Sequence, residues 1–167
     1  GLGKTIEAGI LLSQKWAEGK RKILIICPSS LRKQWVNELE DKFYLKAEVL
    51  DNVSYKKKSK AGIKNPFDSE LTIKICSYEF AKKCAEEIQL TSWDLVVIDE
   101  AHYLRNAYKQ GNVIAQTIQK AIKDYKKVLL TATPLQNRLD ELYGLVSFID
   151  SEIFGDIKSF RRNYILE

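Results

Sequence analysis

Two rhythms of apolar residues run along the 167-residue chain. Short stretches that are almost wholly apolar occur at 22–27 (KILIIC), 94–99 (DLVVID) and 127–131 (KVLLT). Each is the length of a strand covered on both faces. At 71–76 (LTIKIC) the apolar residues alternate, the period of a strand with two unlike faces, and 47–50 is a shorter strand candidate. Between these stretches the apolar spacing shifts to three and four, which predicts helices over 6–18, 31–42, 78–88, 113–125, 139–148 and 157–164. Pro28, Ser29 and Ser30 read as a turn and N-cap before the second helix. The polar, lysine-rich stretch 52–66 reads as a loop or mobile insert. Strands alternating with helices predict βαβ units, hence an α/β fold with a mainly parallel sheet in three layers.

Chemistry gathers where the apolar runs stop. VVIDEAH at 96–102 ends a buried run in two adjacent carboxylates and the sole histidine, His102. Open α/β sheets bind ligands beyond the carboxyl ends of their strands. Asp99 is placed there to hold magnesium through water, and Glu100 to orient an attacking water toward a phosphate. Taken alone, the string equally fits a buried strand running into a charged helix cap.

Gly1-Leu2-Gly3-Lys4-Thr5 has the composition of the second half of a phosphate-binding loop. Glycines let backbone N–H groups approach phosphate oxygens. Lys4 offers a point charge for the β- and γ-phosphates and Thr5 a hydroxyl for magnesium. Ile6, Ile10, Leu11 and Leu12 suit a helix that aims its N-terminal dipole at the phosphate. An ordinary glycine turn is the plainer alternative. KVLLTATP at 127–134 is a common strand-to-turn pattern that also sets hydroxyls near neighbouring acids.

These segments, in this order, resemble the first RecA-like domain of the superfamily-two helicases, and more narrowly the Swi/Snf-type DNA-dependent ATPases. GLGKTIEAG at 1–9 resembles motif I, ILIICPSSLRKQWVNEL at 23–39 motif Ia and CSYE at 76–79 motif Ib. IDEAH at 98–102 resembles motif II, and LLTATPLQNRLDELYGLVSFI at 129–149 resembles motif III with the Swi/Snf extension. The IEAG variant at 6–9 is more similar to bacterial and archaeal members, the RapA type included.

The resemblance implies a RecA-like P-loop NTPase domain that binds ATP and Mg2+ and serves a double-stranded DNA translocase. A strand-separating helicase, a restriction-motor subunit and a non-hydrolysing nucleic-acid-binding fragment are the alternatives. It implies DNA-backbone contacts at Ser29, Ser30, Leu31 and Lys33, and a second point at Ser77 and Tyr78. Gln34 and Trp35 are assigned to packing. Thr131, Ala132, Thr133, Gln136 and Arg138 would couple nucleotide to DNA, with His102 linking acid to hydroxyl. The partners implied are duplex DNA, a C-terminal RecA-like lobe that supplies arginines, and a DNA-bound protein complex. The chain has no methionine and starts inside the phosphate loop, so residues 1–167 are expected to be one N-terminally truncated lobe. On its own such a lobe is expected to hydrolyse ATP negligibly.

Composition narrows the class without deciding it. Apolar residues make up 45% and charged residues 29%, a globular balance. No apolar run approaches a bilayer span, and no membrane partner is expected. Cys27, Cys76 and Cys84 are scattered without a CxxC pair, which favours buried thiols in a reducing cytoplasm over a metal site. The net charge of +5 leans toward a polyanionic partner. Lysines at 56–58, 60 and 64, lysines at 120, 123, 126 and 127, and Arg161-Arg162 fit a DNA path and a solvated face equally well.

Overall fold

The computed structural model describes residues 2–104, 111–132, 139–150 and 152–165. Five parallel strands form one sheet in the order β2-β3-β1-β4-β5. They are β1 (Ile23–Cys27), β2 (Ala47–Val49), β3 (Ile73–Ser77), β4 (Leu95–Ile98) and β5 (Lys127–Leu129). The order reverses at β1, which pairs with β3 on one side and β4 on the other. Eight helices accompany them among the described residues: α1 (Leu2–Ala17), α2 (Arg32–Phe43), α3 (Asn52–Lys60), α4 (Tyr78–Lys83), α5 (Ala85–Leu90), α6 (Val113–Ala121), α7 (Leu139–Ile149) and α8 (Ile157–Tyr164).

Every residue of β1, β3 and β4 is buried, yet alternate residues serve different layers. Ile23, Ile25, Cys27, Ile73, Ile75, Leu95 and Val97 pack against Ala8 and Leu12 of α1 and Trp35 and Leu39 of α2. Leu24, Ile26, Cys76, Val96 and Ile98 pack on the other face with α4 to α7. This explains the unbroken apolar runs: in a sheet covered twice, both faces need apolar side chains.

α1 turns inward only part of the face expected, with Leu11 partly buried beside Leu12. Ala8 and Leu12 are buried, whereas Ile6 and Ile10 are exposed. The packing between α1 and α2 has no room for a Cβ at Gly9, which would lie 2.1 Å from Cε2 of Phe43.

The largest departure from the sequence reading is at 52–66, where a loop was expected. Residues 52–60 form α3 instead, started by a capping box. Asp51 accepts from the N–H groups of Val53 (3.0 Å) and Ser54 (2.9 Å), while the Ser54 hydroxyl accepts from the Asp51 N–H (2.9 Å). The predicted 78–88 helix is two short helices divided at Cys84. Pro28, Ser29 and Ser30 do not form a side-chain cap: residues 29–31 make a 3₁₀ turn, and neither it nor α2 has a capping hydroxyl. α8 matches its expected bounds and docks on α7 through a bidentate Arg161–Asp140 pair at 2.9 and 2.8 Å. No helix among the described residues is long and apolar enough to cross a membrane.

Candidate nucleotide and nucleic-acid site

The carboxyl ends of β1, β3, β4 and β5 open on one edge of the sheet, and the expected functional residues collect there. β4 delivers Asp99 into a position fixed on every side. Its N–H donates to the Ile26 carbonyl at 2.8 Å, which extends the β1 pairing by one residue. Oδ1 accepts from the Glu100 N–H (2.8 Å), and Oδ2 accepts from the Trp35 indole N–H (2.9 Å). The Tyr78 hydroxyl donates to the Asp99 carbonyl. Asp99 is 8% exposed.

The chain turns sharply at Glu100, where φ is 54°. Only Gly, Asn and Asp enter this left-handed region readily, so a glutamate there carries strain of about 1–3 kcal/mol. The turn sends the Glu100 carboxylate away from Asp99. Glu100 Oε2 lies 3.1 Å from His102 Nδ1, which in turn lies 3.5 Å from Thr131 Oγ1. His102 stands on a 3₁₀ turn, Ala101–Leu104, tied to the β5 side by the Ala101 N–H donating to the Leu130 carbonyl (2.9 Å). The histidine therefore bridges an acid and a hydroxyl, though the acid is Glu100 and not Asp99.

Facing these groups across a cleft of about 310 Å³ is the first turn of α1, with Lys4 and Thr5. Leu31, Gln34, Trp35 and Glu38 close the remaining side. The Lys4 ammonium is buried and has no hydrogen-bond partner, and the same is true of Glu38 Oε2. An unpartnered buried ammonium is costly unless a ligand anion meets it. A phosphate fits that demand, since Lys4 sits where helix N–H groups are unpaired. Thr5 and Asp99 offer the hard oxygen donors that Mg2+ takes alongside phosphate oxygens. No group of three or more His, Cys, Asp and Glu among the described residues could cage a metal by itself.

Gln34, Trp35 and Glu38 were not anticipated in this wall. Gln34 donates to Glu38 Oε1 at 3.0 Å, an i,i+4 pair visible in the sequence. The Trp35–Asp99 bond spans 64 positions and had no local signal.

The expected DNA-facing residues divide. Ser29, Ser30 and Lys33 are exposed, and Leu31 is half-buried against the cleft. Ser29 and Tyr78 border a common hollow of about 300 Å³ with Pro28, Glu79, Tyr103 and Asn112. Ser77, however, is buried and spends its hydroxyl as the N-cap of α4, accepting from the Phe80 N–H at 3.1 Å. Tyr78 is buried too; burial, with the Asp99 charge next, pushes its phenol well above the usual range. Burial also pushes the Cys27 thiol, at the end of β1, up to about 12. Ala132 is exposed, while Gly1, Thr133, Gln136 and Arg138 lie outside the described residues.

A larger hollow, about 660 Å³, opens at the start of β5 and is bordered by Lys120, Lys123, Lys126 and Lys127. It is at the opposite edge of the sheet from Asp99 and Glu100, its rim includes Asp124, Asp150 and Glu152, and the Lys127 ammonium donates to the Lys123 carbonyl. Size alone does not make it the reactive site.

The family model described as SNF2-related domain matches residues 1–167. The chain is 34% identical over 171 residues to the RNA polymerase-associated protein RapA of Actinobacillus pleuropneumoniae, covering 96% of this chain and 18% of that protein. It is 38% identical over 167 residues to the uncharacterized ATP-dependent helicase YqhH of Bacillus subtilis, covering 98% of this chain and 27% of YqhH. Its fold superposes on the Sulfolobus solfataricus SWI2/SNF2 ATPase core, solved in complex with double-stranded DNA, with a TM-score of 0.74. That match has 26% identity and covers 97% of this chain and 32% of the other.

Proposed function

The chain belongs to the SNF2-related domain family, and from that footing we propose that it is the ATP-binding lobe of a motor that hydrolyses ATP to move along double-stranded DNA. The observation that carries the reading is the buried, partnerless Lys4 ammonium facing Asp99 and Glu100 across one cleft.

Lys4 and the α1 N–H groups hold the terminal phosphates. Thr5 and Asp99 would hold Mg2+, which would supply positive charge against the phosphate oxygens. Glu100 orients a water in line with the γ-phosphorus. The water oxygen bonds to phosphorus as the bond to the β–γ bridging oxygen breaks, giving ADP and inorganic phosphate. His102 keeps the Glu100 carboxylate aimed and relays its position to Thr131, two residues beyond β5. Thr133, Gln136 and Arg138 carry that link toward DNA, and Ser29, Ser30, Leu31 and Lys33 meet the DNA backbone.

A second RecA-like lobe supplies arginines for the transition state, a contribution on the order of a thousandfold or more. This chain spans 18% and 27% of the two relatives, so there is ample length in such proteins for that lobe. RapA's association with RNA polymerase makes a DNA-bound polymerase a suitable object for the motor to act on.

The test is steady-state ATPase activity of the full-length protein with and without duplex DNA, beside a strand-displacement assay. Strong stimulation by duplex without strand separation supports translocation. Strand separation favours the helicase reading, which the YqhH name makes the second choice. DNA binding without turnover leaves only a nucleic-acid-binding module.

A further inference from the structure

Trp35 stands in the second turn of α2, 3% exposed, with its indole N–H 2.9 Å from Oδ2 of Asp99. A buried carboxylate requires donors, and among the described residues two meet the side-chain oxygens of Asp99: its neighbour's backbone N–H and this indole. A hydrogen bond to an ionised acceptor is about twice as strong as a neutral one, and it fixes direction as well as energy. The backbone donor sets Oδ1 and the indole sets Oδ2, so between them the carboxylate has one rotation available.

Trp35 also sits on the helix that carries the exposed Lys33 and follows directly on the 3₁₀ turn with the exposed Ser29 and Ser30. Glu38, one helical turn further on, presents its unpartnered oxygen to the same cleft. The inner face of α2 is thus a wall of the nucleotide site, while its start is a surface element.

We propose that Trp35 is a positioning residue for the metal-side acid: its indole N–H holds Asp99 in the orientation that binds Mg2+, and so joins the surface segment 29–33 to the nucleotide cleft through one helix. This rests on the reading of the cleft as an Mg–ATP site. Groups that orient a metal ligand from behind change metal affinity by roughly 10- to 100-fold when removed. Substitution of Trp35 should therefore act on Mg2+ before it acts on nucleotide, DNA or turnover.

The experiment uses the full-length protein and its Trp35→Phe variant, which keeps a ring and loses the N–H. Binding of a fluorescent ATP analogue is titrated with Mg2+, and DNA-stimulated ATPase is measured at low and saturating Mg2+. The expected result is a Mg2+ midpoint raised on the order of 10-fold, with Mg2+-free nucleotide affinity and DNA affinity unchanged and turnover restored by saturating Mg2+. An unchanged midpoint, or a turnover loss that saturating Mg2+ leaves in place, overturns the proposal. If the wild-type protein shows no Mg2+-dependent nucleotide binding, the cleft reading itself fails, a distinct result. Should the variant not fold, the wild-type indole ¹H–¹⁵N resonances decide, assigned with Trp16→Phe and Trp93→Phe. The Trp35 resonance should move on addition of Mg–ADP, and an unmoved resonance refutes the positioning role.

Discussion

Lys74 is a charged residue in the middle of the sheet, and its surroundings make an asymmetric prediction. It is fully buried on β3. Its ammonium donates to the Thr72 carbonyl (3.0 Å) and Thr72 Oγ1 (2.6 Å) and pairs with Glu48 at 3.2 Å. Glu48 has a second cation, Lys58, at 3.1 Å, and its side chain is 27% exposed. Burial holds the Lys74 pKa below its ordinary value, with Glu48 opposing the shift. Glu48→Gln leaves a buried ammonium with neutral partners. Breaking a buried pair costs 3–5 kcal/mol, but the two Thr72 oxygens remain and Glu48 is partly solvated, so about 2 kcal/mol is expected. Lys74→Met removes the buried charge, while Glu48 keeps Lys58 and water. That change should stay within about 1 kcal/mol of wild type in either direction. The double variant should be more stable than Glu48→Gln alone. Urea unfolding of the purified chain at pH 7 measures all four. With Lys74 titrating lower when folded, the unfolded chain binds more protons between that lowered value and the ordinary lysine value. Stability from this site therefore rises with pH across that window, most in Glu48→Gln. A loss in Lys74→Met equal to or greater than that in Glu48→Gln would refute the argument.

Four further outcomes are expected. Glu100→Gln in the full-length protein should lower ATP hydrolysis by orders of magnitude with nucleotide affinity retained, read by single-turnover kinetics and equilibrium binding; near-normal turnover would remove Glu100 from its role. Lys33→Ala, at an exposed position, should weaken duplex binding equally across sequences and make the salt dependence shallower by about one unit of slope in a log–log titration. Gly9→Ala must displace the Phe43 ring from α1 and should cost about 1–3 kcal/mol in thermal unfolding, less the better helix propensity of alanine. Asp51→Ala should cost about 1 kcal/mol through loss of the α3 cap. The Ser54 N–H, outweighing burial, holds the Asp51 carboxyl below its ordinary value, so this contribution is complete above that value and fades as pH falls through the lowered one.

The apolar runs at 22–27 and 94–99 located β1 and β4 because a sheet covered on both faces leaves no other composition for its centre, and the run at 127–131 located β5 although that strand lies at the sheet edge and is only half-buried. The same uniformity hid the helix faces. Ile6 and Ile10 looked like inward residues, yet both are exposed, and it is Gly9 that lies against Phe43 of α2 so that the two helices can approach closely. At 52–60 lysines at four of nine positions outweighed the start signal in Asp51 and Ser54, although a capping box is a local feature that the sequence does print. Trp35 could not have been placed by any local rule. It satisfied an apolar helix face, and its polar atom found a partner on another strand.

Glu100 shows how local strain and chemistry meet in this site. Two adjacent carboxylates on a regular strand would point to opposite faces of the sheet, and one would be lost to the core. Here β4 ends at Ile98, and the positive φ at Glu100 breaks the alternation. Asp99 turns toward α2 and takes two N–H donors, while Glu100 turns toward His102 and Thr131 on the β5 side. Both acids therefore border one cleft with different partners. Separate environments let neighbouring carboxylates take separate duties, one beside a metal and one beside a water. The backbone strain at Glu100 is offset by the contacts that hold its neighbours, including the Ala101 N–H to the Leu130 carbonyl and the Tyr103 N–H to the Glu100 carbonyl. One of those contacts belongs to the β5 side, so the residue after the strained acid is tied by its backbone to the segment that follows β5. Under the proposed reading, the peptide at Glu100 is where a shift of the sheet edge would reach the acid assigned to water.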